Sequence, residues 1–108
     1  RIILYKFFQL KFDSGYNQVY GISYPILIIT SLNEQLVIKD IKINKGKCKI
    51  GIEPDAKFDA YRNLQIIPKK FPISIPEYIA QKFDISSGCN VLRMDIETNN
   101  GTWTFGEK

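Results

Sequence analysis

Histidine is absent from these 108 residues, and alanine occurs three times against eighteen isoleucines. Without His there is no Ser-His-Asp or Cys-His nucleophile, no HExxH zinc site and no His-ligated haem. Two cysteines, Cys48 and Cys89, with no CxxC spacing, do not supply a structural zinc site. No apolar run reaches membrane-spanning length; the longest candidate, residues 2–12 (IILYKFFQLKF), is broken by Lys6, Gln9 and Lys11. There is no GxxxxGK[ST] phosphate loop and no Gly-rich dinucleotide turn. Asn44-Lys45-Gly46-Lys47-Cys48 resembles the former only superficially. The chain also lacks internal repeats, Ser/Gly linkers and low-complexity tracts. Scarce Ala and abundant Ile favour strand over helix.

What remains is an ordinary globular composition, 44% hydrophobic and 24% charged, of a length suited to one domain. The formal charge is +4 and the pI about 9.1. Five lysines (Lys39, Lys42, Lys45, Lys47, Lys49) and one acid, Asp40, lie within residues 39–49, so that segment alone carries a net +4. Such a stretch suits an anionic partner, or is simply a solvated face.

Along the chain, residues 24–30 (YPILIIT) form a continuous apolar run, the pattern of a strand covered on both faces. In residues 36–44 (LVIKDIKIN) Ile41 and Ile43 face inward, but Leu36 and Ile38 sit on the other parity. A β-bulge near Lys39 and Asp40 absorbs that change of phase. Residues 47–53 (KCKIGIE) alternate, with Cys48, Ile50 and Ile52 on one side. Residues 54–62 read as a loop or a single helical turn, 63–67 and 78–86 as strands, and Pro68, Pro72 and Pro76 mark a connection or an edge. The two weak helix candidates are residues 4–11 and 76–83; the second alternates well enough to favour a strand.

The C-terminal end carries the clearest pattern. In residues 91–98, Leu92, Met94 and Ile96 point inward, and Asn100-Gly101 is a type I′ hairpin signal. A two-residue loop there pairs Thr98 with Trp103 and Ile96 with Phe105. About seven short strands with turns every 8–12 residues indicate an all-β chain, an immunoglobulin-like Greek-key β-sandwich, with a small barrel as the alternative. In a sandwich Cys48 and Cys89 face inward and bridge the sheets near Trp103; two separate buried thiols are the other possibility. A disulfide implies an oxidising compartment such as the periplasm.

The stretch Ile29 to Cys48 (ITSLNEQLVIKDIKINKGKC) is similar to a pattern in small uncharacterised bacterial proteins associated with mobile elements. Gly88 to Phe105 (GCNVLRMDIETNNGTWTF) resembles the ending of the same family, and both cysteines match its cysteine positions. The resemblance spans about a third of the chain. It implies an exported β-domain preceded by a membrane segment, and it brings no enzymatic activity. On this basis residues 1–21 are expected to be an apolar and aromatic segment following a signal or anchor, and residues 22–108 the sandwich domain. Residues 2–12 read equally well as an ordinary first strand or helix.

No catalytic group, metal or cofactor is expected. Glu53, Asp55 and Asp59 are close enough in sequence for paired-carboxylate chemistry, but a solvated loop explains them as well. Asn100-Gly101-Thr102 fits a glycosylation sequon that the turn already accounts for. Lys45, Lys47 and Lys49 at two-residue spacing form a positive stripe on a strand face, either an anion or partner site or a guard against edge pairing. Tyr5, Tyr16, Tyr20 and Tyr24 crowd the first quarter with Phe7, Phe8 and Phe12. Tyr16, Tyr20 and Tyr24 are the candidate protein-binding residues, the other use being to fill the sandwich edge.

The expected function is a non-catalytic protein–protein interaction module of an exported or membrane-anchored bacterial protein, touching the membrane only through a segment upstream of Arg1. The alternatives are an inhibitor or immunity-type protein, or a single-stranded nucleic-acid binder of the oligonucleotide-binding barrel type. Nucleic acid is the less favoured partner, because the lysine stripe and the aromatic cluster lie in different segments. The oligomeric state stays open.

Overall fold

A computed structural model describes residues 2–106. Within them lie β1 (Ile2–Leu4), β2 (Phe8–Asn17), β3 (Ile22–Ser31), β4 (Gln35–Ile43), β5 (Ile50–Ile52), β6 (Asp55–Phe58), β7 (Leu64–Ile67), β8 (Ile73–Pro76), β9 (Ala80–Ile85), β10 (Arg93–Thr98) and β11 (Gly101–Gly106). A short 3₁₀ turn covers Asn44–Gly46. Sheet 1 has the order β1-β2-β3-β9-β5 and sheet 2 the order β11-β10-β4-β8; β6 and β7 pair only with each other. All pairings within them are antiparallel. The chain is an all-β sandwich. Each sheet keeps its own two edges, so the barrel alternative does not apply.

Period-two alternation places one row of each strand between the sheets. Leu10 of β2, Leu27 and Ile29 of β3, and Phe83 and Ile85 of β9 face Leu36, Ile38, Ile41 and Ile43 of β4 and Met94 and Ile96 of β10, all at most 4% exposed. Leu36 and Ile38 join Ile41 and Ile43 inside despite the parity change. The register of β10 on β4 skips from Glu97–Asp40 to Thr98–Ile38, which leaves Lys39 as the extra residue. The expected bulge is therefore present. It is what keeps both halves of β4 on the core.

Residues 2–17 are integral to sheet 1 rather than a segment set apart from it. β2 pairs with β3 along all ten of its residues, and Phe8 and Leu10 are fully buried. The helix candidate at 4–11 forms β1, a bend and the start of β2, because Phe8 and Leu10 reach the core only at strand spacing. The outer face of β3 is only partly covered. Ile26 is buried there, Ile28 is half-buried, and Tyr24 lies over Gly15, where a Cβ would strike its ring. Pro25 is tolerated because the β9 ladder reaches only to Ile26.

The C-terminal hairpin forms in a register two residues away from the expected one. Thr98 pairs with Gly101, Ile96 with Trp103 and Met94 with Phe105. The turn is Asn99-Asn100, and the positive φ falls on Gly101 alone, at 116°. Asn99 decides the register. Its Oδ1 accepts from the Val37 N–H (3.0 Å) and its Nδ2 donates to the Gln35 carbonyl (3.4 Å), tying the turn to β4. A shift of two preserves parity, so Trp103 and Phe105 still face inward. Leu92, expected inside, precedes β10 and is half exposed.

The cysteines do pair, Cys48–Cys89 (S–S 2.04 Å), but neither lies in a regular strand and the bridge does not cross the core. It joins the β4–β5 connection to the β9–β10 connection, the two places where the chain passes between sheets at one end of the sandwich. The Trp103 ring instead packs edge-on to Phe7 and Phe8. With a sequence separation of 41, the chain-entropy estimate for this link is about 4 kcal/mol.

Three outcomes are expected in urea unfolding. Phe83→Ala lowers stability by about 3–5 kcal/mol, because a fully buried ring leaves a cavity between the sheets. Gly101→Ala costs about 1–2 kcal/mol through its left-handed backbone, whereas Asn100→Ala costs less than Asn99→Ala, which loses both bonds to β4.

Candidate functional site

Three surfaces carry side chains that the core does not use. The first is the β6–β7 hairpin. Residues 54–62 were expected to be loop or helical turn, but Asp55–Phe58 forms a strand paired with Leu64–Ile67. The register puts Ala56 opposite Ile66 and Phe58 opposite Leu64 on one face, with Lys57 opposite Gln65 on the other. The hairpin is thus amphipathic, and its apolar face is open to solvent: Phe58 is 71% exposed, Ile66 57% and Leu64 56%. At the turn Tyr61 is 85% exposed.

Side chains of the hairpin shape the turn and hold its base. The Asp59 carboxylate accepts from the N–H groups of Tyr61 (2.8 Å) and Asn63 (3.0 Å). These bonds, Asn63 first, hold its pKa below the usual carboxylate range. At the base Lys69 pairs with Asp55 (3.0 Å) and donates to the buried Gln81 (2.6 Å), whose amide bonds the Glu53 carbonyl (3.2 Å). Glu53 lies 4.0 Å from Lys82. Glu53, Asp55 and Asp59 therefore serve three separate structural contacts, not a carboxylate pair.

The second surface is an open groove of about 550 Å³ at the end of sheet 1 where β2 turns into β3. Asn17, Ile22, Tyr24, Lys49, Asp84 and the side-chain-free Gly51 are among the residues that line it. Asn17 Oδ1 accepts from the N–H groups of Val19 (3.0 Å) and Tyr20 (3.3 Å), which builds the turn. Among the described residues neither the Asp84 carboxylate nor the Lys49 ammonium has an ion-pair or hydrogen-bond partner, although the Lys49 backbone N–H donates to the Ser86 hydroxyl (3.3 Å). Tyr16 and Tyr20 stand exposed beside this end, whereas Tyr5, Phe7, Phe8 and Phe12 close the side of the sandwich against Trp103 and Phe105. Part of the aromatic quarter is thus exposed, and part fills the sandwich edge.

The lysines are not a strand-face stripe. Lys45 sits in the 3₁₀ turn at φ 59°, Lys47 caps it, and Lys49 precedes β5. The hub of this turn is Asn44, itself at φ 52°. Its Oδ1 accepts from the N–H groups of Leu92 and Arg93 (both 2.9 Å), and its Nδ2 donates to the Asn90 carbonyl (2.8 Å). No spacing rule pointed to Asn44; the only hint was Asn next to Lys-Gly, a turn signal. Tyr24 and Lys49, far apart in sequence, meet in the groove, whereas Tyr16, Tyr20, Lys45 and Lys47 do not line it.

The third surface is the outer face of sheet 2. Arg93 binds the Asp95 carboxylate through two nitrogens (each 3.1 Å), and the Thr104 hydroxyl donates to it (2.7 Å). The Arg93 bonds, then that of Thr104, hold the Asp95 pKa below its ordinary value. Among the described residues no group of three or more His, Cys, Asp or Glu is placed to hold a metal, and no helix is long and apolar enough to cross a membrane. No known family, curated protein or solved structure gives a significant match to this chain.

A depressed carboxyl pKa stabilises the fold above its unfolded value, near 4, and that contribution is lost as pH falls through the folded value. Stability measured from pH ~5 to ~2 therefore declines, and Asp95→Asn flattens the decline. Asn44→Ala costs about 2 kcal/mol or more at neutral pH, because two backbone N–H groups lose their acceptor at a left-handed position.

Proposed function

We propose that this chain is a non-catalytic protein–protein interaction module of an exported or membrane-anchored bacterial protein, and that the apolar face of the β6–β7 hairpin meets the partner. The observation that carries the reading is the hairpin's exposed row of Ala56, Phe58, Leu64 and Ile66. A two-stranded hairpin alone is marginal in water. An apolar row on a sheet face is ordinarily covered, and exposed large apolar groups in a patch mark interaction sites.

Charge narrows the partner. Residues 55–70 carry Lys57, Arg62, Lys69 and Lys70 against Asp55 and Asp59, a net +2. Removing Phe58, Leu64 and Ile66 from water is worth about 1.5–3 kcal/mol each, of the same order as the ~4–15 kcal/mol cost of association. The apolar row alone gives a weak complex. Arg62 and Lys70 on an acidic rim supply orientation and a faster encounter. The partner is therefore a protein with an apolar cleft edged by carboxylates.

Export is supported by the Cys48–Cys89 bond, since disulfides persist in oxidising compartments. The immunoglobulin-like reading is supported by strand order. β2-β3-β9-β5 and β4-β10-β11 follow the chain in the sequence of an ABED sheet on a CFG sheet. The β6–β7 hairpin and β8 are then an insertion between the fourth and fifth of these seven strands.

A photo-crosslinker placed at Phe58 in the native host is expected to capture an acidic extracytoplasmic protein, and one placed at Glu97 is not. Phe58→Ser with Ile66→Ser removes the complex while unfolding shifts by less than about 0.5 kcal/mol, as for exposed sites. Equal capture by the double variant and the parent sinks the reading. Two titratable thiols in unreduced protein from the host remove the case for export.

A further inference from the structure

Gly51 is a strand residue without a structural reason to be glycine. It sits in β5 with no left-handed φ, and a Cβ there would come no closer than 3.9 Å to any neighbour, the Asp84 carbonyl oxygen. Glycine inside a strand sacrifices stability and packs nothing, and one recurrent use is to let another molecule approach. The missing side chain opens the floor of the groove beside Asp84, its register partner on β9.

The remaining walls define the chemistry. Tyr24 lies over Gly15 and offers a ring as one wall. Asp84 presents a carboxylate with no partner, and Lys49 an ammonium with none, among the described residues. The Asn17 oxygen is occupied by its own turn, which leaves its Nδ2 hydrogens for a ligand. Asp84 repels phosphates and nucleic acid at the floor, Lys49 repels cations, and a purely apolar guest would strip water from two exposed charges without replacing their hydrogen bonds. A neutral polyol takes both charges as hydrogen-bond partners. One with a flat C–H face also covers the Tyr24 ring.

We propose that this groove binds a glycan, specifically an internal stretch of a β-1,4-linked chain of gluco-configured hexopyranoses. Equatorial hydroxyls leave the flat C–H face that an aromatic ring needs, and they point sideways towards Asp84, Lys49 and Asn17. The groove is open, not an enclosed cavity, so it holds the middle of a chain. Tyr24 and Gly51 are two strands apart across β9, roughly 10 Å at ordinary strand spacing. One sugar unit rests on Tyr24, the next lies over Asp84 on β9, and the one after that reaches Gly51 on β5. The site stands at the other end of β5 from the β6–β7 hairpin and does not depend on it.

The test is an NMR titration of the ¹⁵N-labelled full chain with cellotetraose and chitotetraose, with maltotetraose and a thymidine oligonucleotide as contrasts. The expected result is saturable shifts at Tyr24, Gly51 and Asp84 with either β-1,4 tetrasaccharide, and a Kd on the order of 1 mM or tighter. Gly51→Val fills the floor and weakens binding at least tenfold without lowering the Tm. Tyr24→Phe retains binding, and Phe58→Ser binds as the parent does. The proposal is overturned if neither β-1,4 tetrasaccharide shifts these resonances at about 10 mM. It is equally overturned if the oligonucleotide alone shifts them, if Gly51→Val binds as the parent does, or if Gly51→Val unfolds.

Discussion

Everything in this molecule hangs from the contact between two rows of alternating apolar side chains. Leu27, Ile29 and Phe83 stand on one sheet and Ile38, Ile41, Met94 and Ile96 on the other, all nearly inaccessible to water. A one-residue slip in any central strand would turn its row outward. The bulge at Lys39 is the clearest sign of that constraint: the ladder is broken so that Leu36 and Ile41 both stay inside. The open sides of the sandwich are closed by rings. Phe7, Phe8 and Trp103 meet on one side, and Phe71 lies against Phe83 near the other. Buried Ser31, Gln81 and Thr98 all bond to backbone, so polar groups in the interior cost the fold little.

Nine strands and Phe71 complete the core, and the β6–β7 hairpin takes no part in it. The β6–β7 hairpin is amphipathic like any core strand pair, yet its apolar row faces water. It is held to the sandwich by the Lys69, Asp55 and Gln81 contacts at its base. That arrangement presents an apolar surface on a polar stalk. It is the opposite of how the same pattern is used in β4 or β10.

The disulfide gains its meaning from topology. Cys48 and Cys89 clamp the two crossings between sheets at one end of the sandwich, and Asn44 bonds across the same gap to residues 90, 92 and 93. The clamp holds Lys49 and β5, only three residues long, in place at the sheet edge. Without it, the floor of the groove would rest on the short β5–β9 ladder and the hydrogen bonds that flank it at Lys49 and Glu53. Stability and the proposed glycan site are thereby coupled at one end of the molecule.

The all-β class, the sandwich, the bulge in residues 36–44, the edge role of the proline-rich stretch and the pairing of the cysteines were legible in the residues. All follow from period-two alternation, from Pro lacking a donor, or from having only two thiols to join. The C-terminal register was misread because Asn-Gly is a local signal, and Asn99 overrides it with bonds to a strand over sixty residues away. Residues 54–62 were misread because an exposed apolar row looks like no row at all when a core is being sought. The meeting of Tyr24, Asp84, Lys49 and Gly51 had no signature, since these residues share neither a segment nor a spacing. Alternation along the chain settles which side of a strand is wet or dry; only the order of strands across the sheet settles which wet residues become neighbours.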